Sequence, residues 1–243
     1  MLIDFCLPVR NEEKILVTNA RRLKDFLINK NWPFTWRIII IINGSQDASA
    51  ELAIKMQKED PQRVQALIIS DGGKGLALKK CFSESLADFL VFMDIDLAVS
   101  LDNLPELIEP LINNQSDLVF GSRLLLGSKT ERSFYRESSS RLYNSLSRLV
   151  LRHHFSDLQC GFKAIRREAF NRITPFLKDD HWFFDTELII LLKKFNYRLL
   201  EIPVDWQENR YDERTSKIRA FRDGWHFFSN IFLLKARLRK IKD

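Results

Sequence analysis

Short apolar blocks alternate along this chain with longer stretches in which apolar positions recur every three or four residues. The first kind of pattern predicts buried strands and the second predicts amphipathic helices. Leu2 to Val9 is the first strand, and Asn11-Glu12-Glu13 opens a helix with Leu16, Ala20, Leu23 and Leu27 on one face. Acidic residues in that first turn suit the helix dipole. Trp36 to Ile42 is a second strand, broken at Asn43-Gly44-Ser45, with Asp47 placed to cap a helix through Ala53 and Met56. Val64 to Ile69 is a third strand, and the loop Ser70-Asp71-Gly72-Gly73-Lys74-Gly75 leads into a helix through Leu76, Lys80, Phe82 and Leu86. The fourth strand begins at Phe89 and runs into Met93-Asp94-Ile95-Asp96-Leu97. A helix over Glu106 to Ile112, starting near Pro105, and a fifth strand over Leu118 to Gly121 follow. This alternation predicts an α/β fold with a mostly parallel, doubly wound sheet flanked by helices.

From Gly127 the chain turns basic and hydroxylated, with Lys129, Arg132, Arg136, Ser138, Ser139, Ser140 and Arg141 before an amphipathic helix carrying Leu142, Leu146, Leu149 and Val150. His153 and His154 have no ligand partner at useful spacing and are expected on the surface. Asp157 to Lys163 mixes apolar and polar types too densely for an ordinary loop. Phe183 to Glu187 opens a helix through Leu188, Leu191 and Leu192, and Arg198 to Val204 is a further strand. The polar loop Glu208 to Lys217, with Arg210, Arg214 and Ser216, has the length of a lid. Phe221 to Lys242 is a terminal helix with an aromatic face (Phe221, Trp225, Phe228, Phe232) and a basic end, suited either to a membrane interface or to docking on the core. The expected organisation is a catalytic domain over 1–220 and an amphipathic helix over 221–243.

With 243 residues, 45% of them hydrophobic, the chain can bury a sizeable core. A net charge of +6 favours an anionic partner: nucleotide, phospholipid surface or nucleic acid. Nucleic acid is disfavoured, because the basic residues do not form a stripe interleaved with aromatics. Three cysteines without metal-ligand spacing are expected as reduced thiols in a cytoplasmic protein. No apolar run approaches the roughly 18 to 20 residues that span a bilayer, so neither a transmembrane helix nor a signal peptide is expected.

Two carboxylates leaving one strand end at i and i+2 can converge on a hard divalent cation. Alone, Asp94 and Asp96 also fit a solvated loop. The glycines around Lys74 would let backbone N–H groups approach a phosphate, although the spacing is not that of a P-loop. Arg136 and Ser140, one turn apart, could hold a phosphate together or belong to a solvated face. Asp185 and Glu187 are equally suited to capping a helix and to catalysis.

Taken in order, Pro8 with Asn11-Glu12-Glu13, Asn43 to Asp47, Gly73-Lys74-Gly75, Met93 to Leu97, Gly121-Ser122-Arg123, Asp157 to Lys163, Phe184 to Leu188, Glu201 to Val204 with Trp206, and Thr215-Ser216-Lys217 resemble family 2 glycosyltransferases of the GT-A fold. Within that family they resemble the polyprenyl-phosphate hexosyltransferases, such as dolichyl-phosphate glucose and mannose synthases. The resemblance implies that Pro8, Glu12, Asn43 and Lys74 lie on the nucleotide-sugar side, that Asp94 and Asp96 bind Mg2+ or Mn2+ against the donor diphosphate, and that Lys217 closes over it. It implies Arg123, Arg136 and Ser140 at the acceptor phosphate, Asp157 and Gln159 beside them shaping the sugar and acceptor pocket, and Asp185 and Glu187 facing the hexose or ordering the loop next to it. Arg10 replaces the family's usual tyrosine, Ile42-Asn43 replaces its acidic pair, and Ala98 stands where some mannose synthases have another ligand. The last departure favours glucose over mannose.

The implied reaction is inverting transfer of a hexose from a donor such as UDP-glucose or GDP-mannose to a polyprenyl phosphate, at the cytoplasmic face of a membrane or with a membrane partner. Two alternatives stand beside it. One is a glycosyltransferase acting on a hydroxyl acceptor with Asp157 or Asp185 as base, and the other is a non-catalytic nucleotide-sugar binding protein. A sugar nucleotidyltransferase is disfavoured, because no glycine-rich basic loop lies between Pro8 and Glu13.

Overall fold

The structure, a computed structural model, describes residues 1–131, 134–207 and 220–241, the side chains of 134–136 and 220–225 excepted. Its strands are β1 (Leu2–Val9), β2 (Thr35–Asn43), β3 (Val64–Ile69), β4 (Phe89–Met93), β5 (Leu118–Ser122), β6 (Lys129–Glu131), β7 (Phe162–Arg166), β8 (Leu199–Pro203) and β9 (Asp205–Gln207). The α-helices are α1 (Glu13–Asn29), α2 (Ser49–Glu59), α3 (Lys74–Glu84), α4 (Leu104–Ile112), α5 (Phe134–Leu151), α6 (Arg167–Ile173), α7 (Phe184–Lys194) and α8 (Ala220–Leu238).

Seven strands form one sheet in the order β3-β2-β1-β4-β7-β5-β8, and β6 pairs with β9 in a small second sheet. Alternate residues of each central strand feed two cores. Phe5, Leu7, Ile38, Ile40 and Val91 pack on the α1, α2 and α4 side, whereas Cys6, Ile39, Ile41, Leu90 and Phe92 pack on the side of α3, α6 and α7. Strands covered on both faces have no need of polar alternation, which is why their sequences are nearly continuous apolar runs.

The sheet is mostly parallel, as the alternation predicts, with one exception. β7 runs antiparallel between β4 and β5, pairing with both. This strand has no clear signature in the sequence, because it is five residues long and two of the five are Lys163 and Arg166.

Other local expectations are corrected. Asp47 precedes the cap position of α2, which is Ala48; its carboxylate accepts from Ser49 N at 3.1 Å and from Glu13 N at 3.0 Å, tying the starts of α1 and α2 together. His153 is buried. Its Nε2 lies 3.0 Å from Ser147 Oγ, a hydroxyl that is also 2.9 Å from Asn144 O. Burial holds this imidazole down at a pKa of about 4. Leu142 and Leu149 of α5 face outward, 64% and 76% exposed, so half of that helix's apolar stripe is not core.

The terminal helix α8 is docked on one face and open on another. Ile231 and Leu234 are fully buried, Phe227 meets Tyr143 and Phe183 edge-on or tilted, and Arg237 Nη1 pairs with Glu187 Oε1 at 2.5 Å. Phe228, Phe232 and Leu233 remain exposed. Among the described residues no helix is long and apolar enough to cross a membrane.

Candidate active site

The two acids sit where the end of β4 breaks into a tight turn, closed by Leu97 N donating to Asp94 O at 3.0 Å. Leu97 adopts a left-handed conformation (φ 50°), an uncommon state for a branched residue that persists because its side chain is fully packed. Asn19 of α1, itself buried, donates to Ile95 O at 2.9 Å and pins the turn from below. Asp96 Oδ1 accepts from Ala98 N at 3.2 Å. Asp94 leans over Gly161, where a Cβ would fall 2.1 Å from Asp94 Oδ2, so only glycine leaves room for the carboxylate.

Asp94, Asp96, Ala98, Gly161 and Trp206 line a cleft of about 10 Å³, space for an ion or a water while a donor would lie above it. A larger groove of about 420 Å³, near Phe176 and the end of α8, contains no carboxylate. The donor set fits a divalent cation in that both side chains are hard oxygen ligands at one turn, although an ammonium already stands against one of them. Among the described residues no cluster of three or more His, Cys, Asp or Glu side chains converges, so a cation here would complete its shell with water or donor oxygens.

That ammonium belongs to Lys74, the lysine expected on the nucleotide-sugar side, which here stands in ion pairs within the protein. Lys74 is buried between Asp94 Oδ1 at 3.1 Å and Asp185 Oδ2 at 3.3 Å, and these carboxylates raise its pKa against the opposing effect of burial. The glycine loop is not an open phosphate cradle either. Gly73 N donates to Asn43 Oδ1 at 3.3 Å and Gly75 N to His181 O at 3.1 Å. The glycines are needed for close packing, because a Cβ on Gly73 would lie 2.3 Å from Asp180 O. Asn43 is equally committed, its Nδ2 donating to Val9 O at 3.0 Å. Pro8 lies in β1 and is half-buried, while Glu12 is buried at the start of α1, its N–H donating to Ser49 Oγ at 3.0 Å.

Next to Trp206 of the cleft, whose ring centre lies 5.7 Å from the Arg123 guanidinium, Arg123 and Asp157 form a bidentate pair, Nε to Oδ2 at 2.6 Å and Nη2 to Oδ1 at 3.0 Å. Asp157 is fully buried and also accepts from Gln159 N at 3.1 Å. Despite the upward push of burial, the Arg123 guanidinium and these N–H donors bring Asp157 down to a pKa of about 2. Gln159 donates through Nε2 to Thr186 Oγ1 at 2.6 Å. Ser140 is half-buried on α5. The Arg136 side chain and the whole of 208–219, including Lys217, Arg210, Arg214 and Ser216, lie outside the described residues.

Asp185 and Glu187 are both interior groups. Glu187 Oε2 accepts from the N–H groups of Lys178 and Asp179, each at 2.8 Å, and so fixes the loop before α7. Asp185 is held between Lys163 and Lys74, and these cations keep it below the usual carboxylate range although burial acts the other way. Neither Asp157 nor Asp185 is therefore poised as a general base. Lys163 was missed as a site residue by sequence reasoning. It is fully buried on β7, 2.5 Å from Asp185 Oδ1 and 5.2 Å from the centre of the Phe92 ring. A lysine set between the apolar Phe162 and Ala164-Ile165 was the available signal.

The family model for Glycosyl transferase family 2 matches residues 4–174 of the chain. The chain belongs to glycosyl transferase family 2. As a family 2 glycosyltransferase it is similar to Glycosyltransferase AglD of Haloferax volcanii, 34% identical over 218 residues that make up 89% of this chain and 35% of that protein. It is also similar to Dolichyl-phosphate beta-glucosyltransferase ALG5C of Trichomonas vaginalis, 29% identical over 84% of this chain and 63% of the relative. The chain thus spans about a third and somewhat under two thirds of these proteins. Among solved structures, glucosyl-3-phosphoglycerate synthase from Mycobacterium tuberculosis with Mn2+, UDP-glucose and glycerol 3-phosphate shares the GT-A fold, with a TM-score of 0.64, 17% identity and coverage of 99% of this chain and 81% of that one.

Proposed function

We propose that this family 2 glycosyltransferase moves a hexose, glucose before mannose, from a nucleoside-diphosphate sugar to a polyprenyl phosphate, with inversion and with Mg2+ or Mn2+ at Asp94 and Asp96. The observation that carries this reading is the state of the two candidate bases: Asp157 and Asp185 are both buried in ion pairs and held in the charged form by cations. A hydroxyl acceptor must lose a proton during attack, and these carboxylates offer it no route. A phosphate monoester, with a second pKa near 6, is already largely dianionic at neutral pH and needs only orientation and partial neutralisation. The dolichyl-phosphate glucosyltransferase relative supports the same acceptor class.

Arg123 would meet the acceptor phosphate, its geometry preset by Asp157 so that little side-chain freedom is lost on binding. Arg136 and Ser140 would join it from α5, and Gln159 would border the hexose. Bound at the acidic turn, the cation would supply Lewis-acid stabilisation of the departing diphosphate. Lys217 keeps the role of a charge closing over that diphosphate. Pro8, Glu12 and Asn43 would shape the nucleotide side, Asn43 by bracing the end of β1 and the glycine loop. Contact with the cytoplasmic face of a membrane is supported by the outward leucines of α5, the outward phenylalanines of α8 and the net charge of +6.

The test is incubation with Mg2+, a short-chain polyprenyl phosphate and a panel of labelled nucleotide sugars. Label from UDP-glucose is expected in the organic phase, and Asp96→Ala should reduce it to background. Label appearing only in an aqueous product would replace this reading with a hydroxyl-acceptor enzyme, and binding without turnover would replace it with a nucleotide-sugar binding protein.

A further inference from the structure

A row of four alternating charges runs from the interior of the sheet to the acidic turn. Lys163, fully buried, is 2.5 Å from Asp185 Oδ1; Asp185 Oδ2 is 3.3 Å from Lys74 Nζ; and Lys74 Nζ is 3.1 Å from Asp94 Oδ1. Exposure changes abruptly along it, from 0, 2 and 7% for the first three side chains to 41% for Asp94. The row is neutral as it stands, two cations against two carboxylates. Lys74 is held in this position by the Phe92 and Trp182 rings, both within 6 Å of its ammonium, and by Asp185.

A cation bound at Asp94 would therefore arrive beside an ammonium already in contact with the same carboxylate. Like charges that close repel, at about 4 kcal/mol for a unit pair 4 Å apart near a protein surface. The anion able to relieve that repulsion is a diphosphate lying over both. We infer that Lys74 is a resident counter-ion of Asp94 that holds the carboxylate in place yet keeps divalent-cation binding weak until a nucleoside diphosphate arrives, with Lys163 and Asp185 as the positioning residues that fix it. Metal and nucleotide then bind as a coupled pair, each strengthening the other by the same factor. The inference rests on the reading of Asp94 and Asp96 as metal ligands.

The experiment measures Mn2+ binding to the full chain by the loss of the free-ion electron paramagnetic resonance signal, with and without UDP or GDP. The unmodified chain should bind Mn2+ alone weakly and about a hundredfold more tightly with nucleotide. Lys74→Met, similar in volume and able to keep the ring contacts, should bind Mn2+ alone about tenfold more tightly and show a correspondingly smaller nucleotide effect. A thermal melt of each variant checks that it is folded, so that a gain in affinity is read on native protein. Lys74→Arg should behave as the unmodified chain. Lys163→Met, which leaves Asp185 with one cation and draws Lys74 toward it, should tighten Mn2+ binding about threefold. Lys74→Met that binds Mn2+ alone no more tightly than the unmodified chain overturns the inference while leaving the metal site standing. Failure of the unmodified chain to bind Mn2+ with either nucleotide overturns the metal reading of the acidic turn, and this inference with it.

Discussion

Charge is buried at both ends of the parallel strands, and the two places do different things with it. Near the start of β1, Asp4 is 1% exposed and receives Arg37 Nε at 2.9 Å, Arg37 Nη2 at 2.8 Å and Ser85 Oγ at 2.6 Å. That group is closed, with its lone pairs spent inside the protein. At the other end, the row from Lys163 to Asp94 finishes in a carboxylate that is 41% exposed. Both satisfy the requirement that buried charges be paired. Only the second opens where parallel strands deliver their carboxyl ends, the side on which such sheets bind ligands. A buried ion pair is thus no sign of chemistry by itself; a row of them that ends at solvent is a better one.

Neutralising one acid at each end should separate the two most sharply. Asp94→Asn is expected to lower turnover by about a thousandfold, since charge stabilisation at the leaving group is lost, with little change in the thermal midpoint. Asp4→Asn should do the reverse. Breaking its grip on Arg37 should remove roughly 3 kcal/mol from urea unfolding while turnover per folded molecule stays within about twofold.

A smaller effect on turnover is expected from Asp157→Asn, which keeps the side chain's volume but leaves one accepting oxygen where Arg123 now has two. The KM for polyprenyl phosphate should rise about tenfold with less change in kcat, as loosened orientation predicts; steady-state rates at varied acceptor concentration check this. The smallest effect concerns pH. His153 has its pKa lowered from 6.5 to about 4 in the folded chain, so the unfolded chain binds that proton first on acidification. Its contribution to stability is complete above pH 6.5 and is lost as pH falls toward 4. His153→Gln should flatten the fall in thermal midpoint across that window. Asp157, lowered from 3.8 to about 2, acts only below it.

The closed end and the open end were not equally legible in the sequence. Asp94 and Asp96 stood out because a wholly apolar strand leads straight into them. The charges behind them did not, since Asp185 draws its cations from positions 22 residues before it and from Lys74 on α3, and no periodicity links them. β7 escaped notice for the same reason, as Lys163 makes a buried strand look polar. Leu142 and Leu149 repeat with the spacing of a core stripe, and that spacing does not say which side of α5 has a neighbour. Asn43 and the glycine loop had the composition of a phosphate site, but their N–H and amide groups are used up in bracing β1 and the 179–181 loop.

The reversed direction of β7 has one more outcome. In the parallel strands the rim residues are those that follow the strand, whereas β7 brings to the rim the residues that precede it, so Gln159 and Gly161 arrive opposite the turn after β4. Two segments far apart in the chain therefore meet side by side at the rim, Asp94 N donating to Gly161 O at 3.2 Å. Adding or removing residues between 152 and 160 would reset one of the two alone, a way for such a scaffold to change what it accepts without altering how it grips what it gives.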